Sequence, residues 1–326
     1  MDYKKYLEIA GNVHLAYYIQ AADKLGIKYE IIIPRMTAKF SSDKYHWFIN
    51  VTANPLTSAP SARLARTKNL TNKVLSLANI PVPKQIKAET IEEALQFFEN
   101  EKDIVLKPAQ NLGGHGISIL PQTKEEVIEA FKEAQNNDRH QRVLIEKFIQ
   151  GDNYRFLVVG DNVVSVVRRL PAHITGNGIN TILELIDIEN NNRKLKGLLP
   201  IPLDEETQRQ IEKQGYNDNT IIENGLTIFV RKNTNLTTGG TTEECLQEVN
   251  PYYLEIAINA VKALDMKFGG VDLIAKDITK PGDCAINEIN YNPGLRLHYK
   301  VDKGEPVDVA YHIIKYINEL YKKINN

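Results

Sequence analysis

The sequence is poor in cysteine, has no excess charge of either sign and contains no long apolar run. Cys245 and Cys284 are its two cysteines in 326 residues. Neither has a CxxC neighbour, and two thiols cannot build a structural zinc site alone. They read as reduced, partly buried thiols of a reducing compartment. Forty basic side chains against 41 acidic ones leave a formal net charge of -1, which gives no support for a nucleic-acid or anionic-membrane partner. The longest apolar stretches, such as Tyr29–Pro34, are strand-sized and far too short to cross a bilayer. The start, MDYKKYLEIAG, is too polar for a signal peptide, so the expected location is the cytoplasm. There is no internal repeat, no HExxH and no Ser-His-Asp arrangement, and so no basis for nucleophilic hydrolase chemistry.

What remains is an ordinary globular composition, 42% hydrophobic and 25% charged, in a chain long enough for two or three lobes. Residues 13–25 repeat apolar positions at helical spacing and stop at Gly26. YEIIIP (29–34) reads as a buried strand, WFINV (47–51) as a second, and 61–79 as one helix. Helices are expected over 90–100 and 123–137, each opened by Thr-x-x-Glu, with strands at 103–109 and 142–149. YRFLVVGD and NVVSVVRRLP form a hairpin around Gly160-Asp161. The polar stretch 175–225, with a helix near 204–214, reads as a functional loop or insertion. TIFVRKN is a strand, 251–266 a helix, GGVDLIAKDI and CAINEINYNPG two more strands, and 306–324 the last helix.

Three groups of residues can carry chemistry. Gly113, Gly114 and Gly116 form a turn whose backbone N–H groups can approach an anion, with Lys107 on the strand that feeds it. A plain turn is the competing reading. The second group is Asp272 with Glu288 and Asn290. The last two are two apart on a strand and share a face, so pairing with the Asp272 strand would gather three oxygen donors suited to Mg²⁺. The competing reading is a solvated sheet face, weakened by the apolar neighbours of both carboxylates. The third group is cationic: Arg155, Arg168, Arg169, Arg231 and Lys232 on strands, with a surface salt bridge as each one's default. Arg296 and His298, two apart and on one side if extended, either hold a substrate carboxylate or are surface polar residues.

These groups occur in the order of the ATP-grasp ligases. The chain resembles the ATP-grasp portion of cyanophycin synthetase and of bifunctional glutathione synthetase, from roughly residue 25 to 315. The resemblance is carried by NLTNKVLSLANIPVP, VLKPAQNLGGHGIS, VLIEKFIQGDNYRFLVVGD, RRLPAHITGNGINTILELI, VRKNTNLTTGGTT, GGVDLIAKDI and INEINYNPGLRLHY. It implies an α+β / α/β ATP-grasp fold. A small N-terminal α/β lobe (1–62) would precede two α+β subdomains (63–145 and 146–326) that hold ATP between them.

The resemblance also implies roles. Lys68, opening a helix, and Lys107 meet ATP phosphates. Gly113, Gly114, His115, Gly116 and Ile117 belong to a lid over them. Glu146, Lys147, Phe148 and Ile149 receive adenine, partly through backbone groups, and Asp152 and Asn153 stand where the family offers an acid to the ribose. Asn153 is an amide, so Asp152 would serve instead. Arg169 and Arg231 contact the transferred phosphate or the acyl phosphate, and Asn235 lines the acyl site. Asp272, Glu288 and Asn290 hold Mg²⁺, with two ions and Mn²⁺ able to substitute. Gly240, Gly294, Arg296 and His298 meet substrate.

The implied reaction joins a small-molecule carboxylate to an amine through an acyl phosphate, on an amino acid or short peptide, in a homodimer. The other domains of cyanophycin synthetase and the glutamate–cysteine ligase half of the glutathione enzyme have no counterpart in the sequence, so one bond per enzyme is expected. A small-molecule kinase and a non-catalytic nucleotide-binding subunit are the rival readings.

Overall fold

The computed structural model describes residues 3–42, 45–109, 116–232, 234 and 236–324. The chain divides into two compact units. The first comprises Met1–Val166, Leu246–Arg296 and Val307–Asn326, and the second Val167–Cys245 and Leu297–Pro306. The boundaries expected after residues 62 and 145 both fall inside the first unit.

The first unit opens with helices α1 (Tyr3–Ala10) and α2 (Val13–Lys24). Asn12 caps α2, its side chain accepting from the N–H groups of His14 and Leu15. Gly26 follows in a left-handed conformation, as the sequence requires at a helix stop. An antiparallel meander comes next: β1 (Lys28–Ile33), β2 (Thr37–Ser42) and β3 (Tyr45–Asn50). β1 is a strand but not a buried one. It lies at the sheet edge, and Ile32 and Ile33 are 44% and 48% exposed. The central strand β2, absent from the sequence reading, buries only Ala38 and Phe40 and otherwise looks polar.

The helix expected over 61–79 is two helices, α3 (Ala59–Arg66) and α4 (Lys68–Leu77). Thr67 leaves the helical region between them, with φ -108 and ψ 93, so Lys68 becomes the first residue of a new helix. The next block follows the sequence closely: β4 (Gln85–Ala88), α5 (Ile91–Glu101), β5 (Ile104–Pro108), β6 (Ser118–Ile119), α6 (Lys124–Asn136) and β7 (Val143–Lys147). Thr90 and Glu93 form the expected reciprocal capping box, and Thr123 caps α6. The sheet order is β4-β7-β5-β6, every neighbouring pair antiparallel. Ala88, Ile104, Leu106, Val143 and Ile145 point to one face and pack with Val127 and Phe131 of α6. Alternation then puts Gln85, Lys87, Val105, Lys107, Leu144 and Glu146 on the opposite face.

β8 (Asp152–Val159) and β9 (Asn162–Leu170) form the expected hairpin. Gly160 turns it with φ +62, and the Tyr316 ring lies so close that a Cβ there would meet it at 2.3 Å. The second unit starts within β9, whose residues 167–170 pair with a later strand. It continues with β10 (His173–Thr175), α7 (Ile182–Leu195), α8 (Glu205–Glu212), β11 (Thr227–Phe229) and β12 (Thr241–Glu244). The stretch 175–225 is therefore not a loop. Ile174, Ile182, Ile186, Ile201, Ile211 and Val230 give it a core of its own. Four consecutive polar residues, Glu189 to Asn192, hid α7 from a periodicity argument, although Thr181 and Glu184 cap it with a complete box.

Back in the first unit, α9 (Pro251–Ala263) packs on β13 (Phe268–Ala275), which pairs with β14 (Cys284–Asn290). A single turn, α10 (Arg296–Tyr299), begins on the last residue of this segment and runs into the second unit; α11 (Val309–Ile324), in the first unit again, packs on α2 through a stripe that includes Ile313, Ile314 and Ile317. Neither Cys245 nor Cys284 is in a disulfide. Burial, with Asp283 beside it, pushes the Cys284 thiol up to about 11, which makes it a poor nucleophile near neutrality. No helix among the described residues is long and apolar enough to cross a membrane.

Candidate active site

Lys107 comes from β5 and points to the face of the four-stranded sheet opposite α6. Its register partner is Leu144, and Glu146, two residues along β7, shares that face. Both side chains are buried, and Lys107 Nζ donates to Glu146 Oε2. Burial lowers the Lys107 pKa. Glu146 opposes that shift, Lys68 adds to it, and Glu288 opposes it again. Two lysines 39 residues apart in sequence and a distant carboxylate therefore act on one another at one place.

Lys68 reaches the same place from the start of α4, with Nζ 3.5 Å from Glu288 Oε2. A lysine at a helix N-terminus is electrostatically disfavoured, and no side chain caps this one. Glu288 supplies the negative charge that such an end attracts, and a phosphate would satisfy the same requirement. Lys68, Gln85 and Glu288 line one small cavity. A second, of about 200 Å³, is lined by Thr67, Asn69, Lys87, Ala109, Arg142 and Leu144. It thus joins that face of the sheet, the start of α4 and the residue that follows β5.

The oxygen donors lie on β13 and β14. Asp272 is paired across the sheet with Glu288 on one side and Arg155 on the other, so the three are cross-strand neighbours. Asn290 Nδ2 donates to Glu288 Oε1 at 3.0 Å, so those two share a face. A register shift after Asp272 leaves Asn287 without a partner in the ladder, and Glu288 keeps its place opposite Asp272. Asp272 is buried and finds a partner the sequence did not suggest. Arg155 Nη2 donates to Asp272 Oδ2 at 3.0 Å, and Nε donates to Oδ1. Arg155 is thus no surface ion pair but one arm of a buried bidentate one. Gly270 makes room for it, since a Cβ there would meet Pro293 at 2.8 Å and Arg155 Cδ at 3.1 Å.

Two carboxylates and an amide on neighbouring strands suit a hard divalent cation that takes its other ligands from phosphate oxygens. Among the described residues no three His, Cys, Asp or Glu side chains gather to hold a metal by themselves. Lys68 at Glu288 shows that the cluster already attracts a cation.

The other expected residues are placed as follows. The N–H of Lys147 goes to the Lys84 carbonyl and that of Phe148 to the Asp103 carbonyl, both at 2.8 Å. Lys147 Nζ pairs with Glu101. What the 146–149 segment can offer an adenine is therefore not these N–H groups. Ile149, Asp152 and Asn153 are half-buried, the latter two at the start of β8. Gly116 is buried with φ +70, and Ile117 is exposed. Gly113, Gly114, His115 and Asn235 lie outside the described residues. Gly294 is exposed and Arg296 half-buried. Arg296 and His298 lie within a helical turn, so the extended spacing that would set them on one side does not apply.

In the second unit, Arg169 stands opposite Thr242. Arg231 and Lys232 fall just beyond β11, not on it. Arg231 is buried, donating from Nη1 to Asp204 at 2.7 Å and to Thr207 at 3.0 Å, and from Nη2 to Glu206, so it serves the start of α8. The Gly240 carbonyl accepts from Arg193, a fully buried arginine that no sequence signal marked. His298 is buried, which excludes the surface reading.

Residues 73–181 match the family model of the prokaryotic glutathione synthetase ATP-grasp domain. Over 303 residues the chain is 31% identical to cyanophycin synthetase of Trichormus variabilis, covering 90% of this chain and 33% of that protein. Over 299 residues it is 33% identical to the glutathione biosynthesis bifunctional protein of Clostridium perfringens, covering 87% and 38%. The chain thus spans about a third of the length of these curated relatives. Among solved structures, the bifunctional glutathione synthetase from Pasteurella multocida is 26% identical, with a TM-score of 0.72 over 93% of this chain and 44% of that one. Sequence and fold together place this chain in the ATP-grasp superfamily, similar to the ATP-grasp portions of cyanophycin synthetase and bifunctional glutathione synthetase.

Proposed function

We propose that the chain is an ATP- and Mg²⁺-dependent, ADP-forming carboxylate–amine ligase acting on an amino acid or short peptide. The observation that carries this reading is the meeting of Lys68, Lys107 and Glu288, with Asp272 and Asn290 beside them.

A carboxylate does not condense with an amine near neutral pH, because hydroxide is a poor leaving group. Phosphoryl transfer from ATP to the carboxylate gives a mixed anhydride; the amine then attacks, and phosphate leaves. The phosphoryl step needs alignment and charge neutralisation more than covalent help. Lys68 and Lys107 neutralise phosphate oxygens in this scheme. Asp272, Glu288 and Asn290 would hold Mg²⁺, with Asp272 sharing its carboxylate between the ion and Arg155, and the ion would supply further neutralisation of the phosphates. The glycine turn before Gly116 closes over them and keeps water from the acyl phosphate. The segment 146–149 receives adenine and Asp152 the ribose. Arg169 meets the transferred phosphate, and Asn235 and Gly240 line the acyl site. Arg231 can join them only by giving up one of its carboxylates. Two ions with Mn²⁺ as substitute, a homodimer, the cytoplasm and the three-part division at 62 and 145 belong to the same proposal.

The test is ADP release by the purified protein with a panel of amino acids and dipeptides, with and without hydroxylamine, and mass spectrometry of products. Hydroxylamine should trap a hydroxamate where an acyl phosphate forms. A stable phosphorylated product formed without any amine would make the protein a kinase instead. No turnover with any acid would leave a binding subunit.

A further inference from the structure

We propose that Tyr3, His14 and Tyr17, on the two N-terminal helices, form with Arg296 a recognition site for a non-reacting carboxylate of an amino-acid or peptide substrate. The inference rests on the ligase reading for its ligand class, but the site is argued from its own geometry.

His14 is fixed at the start of α2 by the Asn12 cap. Its Nδ1 accepts the Leu295 N–H at 3.3 Å. An imidazole that accepts at Nδ1 is neutral and carries its proton on Nε2, which leaves Nε2–H as a donor. Leu295 lies between Gly294 and Arg296, and a Cβ on Gly294 would stand 3.7 Å from His14 Cε1. The imidazole thus lies against a residue with no side chain to cover it. Tyr3 and Tyr17 stack with ring centroids 5.0 Å apart, and the Tyr3 hydroxyl donates to the Val13 carbonyl at 3.1 Å, one residue before His14. Arg296 acts electrostatically on all three. Burial first and Arg296 second lower the His14 pKa. Burial raises both phenols, and Arg296 opposes that rise.

The group therefore combines one permanent cation with an imidazole N–H and the Tyr17 phenol, while Tyr3, its O–H spent on the Val13 carbonyl, stacks on Tyr17 and positions it. That set matches a singly charged, planar anion better than a polyphosphate, and a carboxylate fits the guanidinium fork. Tyr3, His14 and Tyr17 all precede the segment 73–181 that the family model matches.

The experiment uses the full chain, with L-amino acids and dipeptides as probes, each beside its C-terminal carboxamide. The ¹H–¹³C signal of the His14 ring reports binding, and ADP release reports turnover. At least one free carboxylate should move the His14 signal while its amide leaves it in place. His14→Ala should raise KM for that acid about tenfold or more, with kcat and the KM for ATP unchanged. His14→Gln, which retains an acceptor and a donor, should recover most of the loss. Tyr17→Phe removes one hydroxyl at nearly constant volume and should raise the same KM.

Equal responses to acid and amide overturn the inference, and so does a normal KM in both His14→Ala and Tyr17→Phe. ADP release with an acid that leaves His14 unmoved keeps the ligase reading and sinks this site. Selective movement of His14 without any turnover keeps the site and sinks the ligase reading. Silence in both readouts sinks both.

Discussion

Burial lowers the Lys107 pKa, and Glu146, which accepts its hydrogen bond, opposes that shift. Loss of one preorganised electrostatic group typically costs two to three decades in rate. Lys107→Ala and Glu288→Gln should each lower substrate-dependent ADP release by about two decades or more, with a folded circular-dichroism spectrum; near-normal rates would remove these residues from the site.

Arg155 and Asp272 make a different prediction. Removing one partner of a buried ion pair leaves the other uncompensated and costs roughly 3–5 kcal/mol. Arg155→Met alone should lose about that much in urea unfolding, and adding Asp272→Leu should restore much of it. His14 gives a pH signature. Its folded pKa lies below 6.5 through burial and Arg296. In the window beneath 6.5 the unfolded chain takes up a proton that the folded chain refuses, so stability falls as pH falls. His14→Gln should flatten that part of the urea-midpoint profile; an unchanged slope would show that His14 does not cause it.

At the scale of elements, local signals carried well. The Thr90–Glu93 box, the Thr123 cap and the Gly160 hairpin were all legible because each needs only a few adjacent residues. Thr90→Ala should cost about 1 kcal/mol of stability, measured by thermal or urea melts, and leave ADP release intact. Failures arose where tertiary placement decided. β1 looked buried because it is Ile-rich, yet it lies at an edge. The break at Thr67 has no Gly or Pro to announce it, so one long helix was the natural reading. The Ala38 and Phe40 alternation in β2 is too brief to stand out among polar neighbours. In the site, the shared face of Glu288 and Asn290 followed from period-two spacing. The Arg155–Asp272 pair, 117 residues apart, did not, because no local pattern encodes which strand lies beside which.

At the scale of the whole molecule, a ligand that binds the folded chain alone raises its stability by mass action, by about 2.7 kcal/mol at a hundredfold excess over Kd. MgATP should therefore raise the melting temperature, and ATP with EDTA should raise it less. Equal shifts would show that Asp272, Glu288 and Asn290 hold no ion that nucleotide needs. Composition alone bounded the class, and none of the helices among the described residues is long and apolar enough to cross a membrane. The family emerged from seven ordered blocks, whereas the division into two compact units did not, since it depends on which distant segments pack together.

The close pairing of Glu146 with Lys107 has a consequence for what the pocket presents between turnovers. Left to burial alone, the amine would drift toward its neutral form and become a nucleophile beside an acyl donor. In the proposed ligase the carboxylate opposes that drift, favours the protonated lysine and so works against acylation of the protein by its own intermediate.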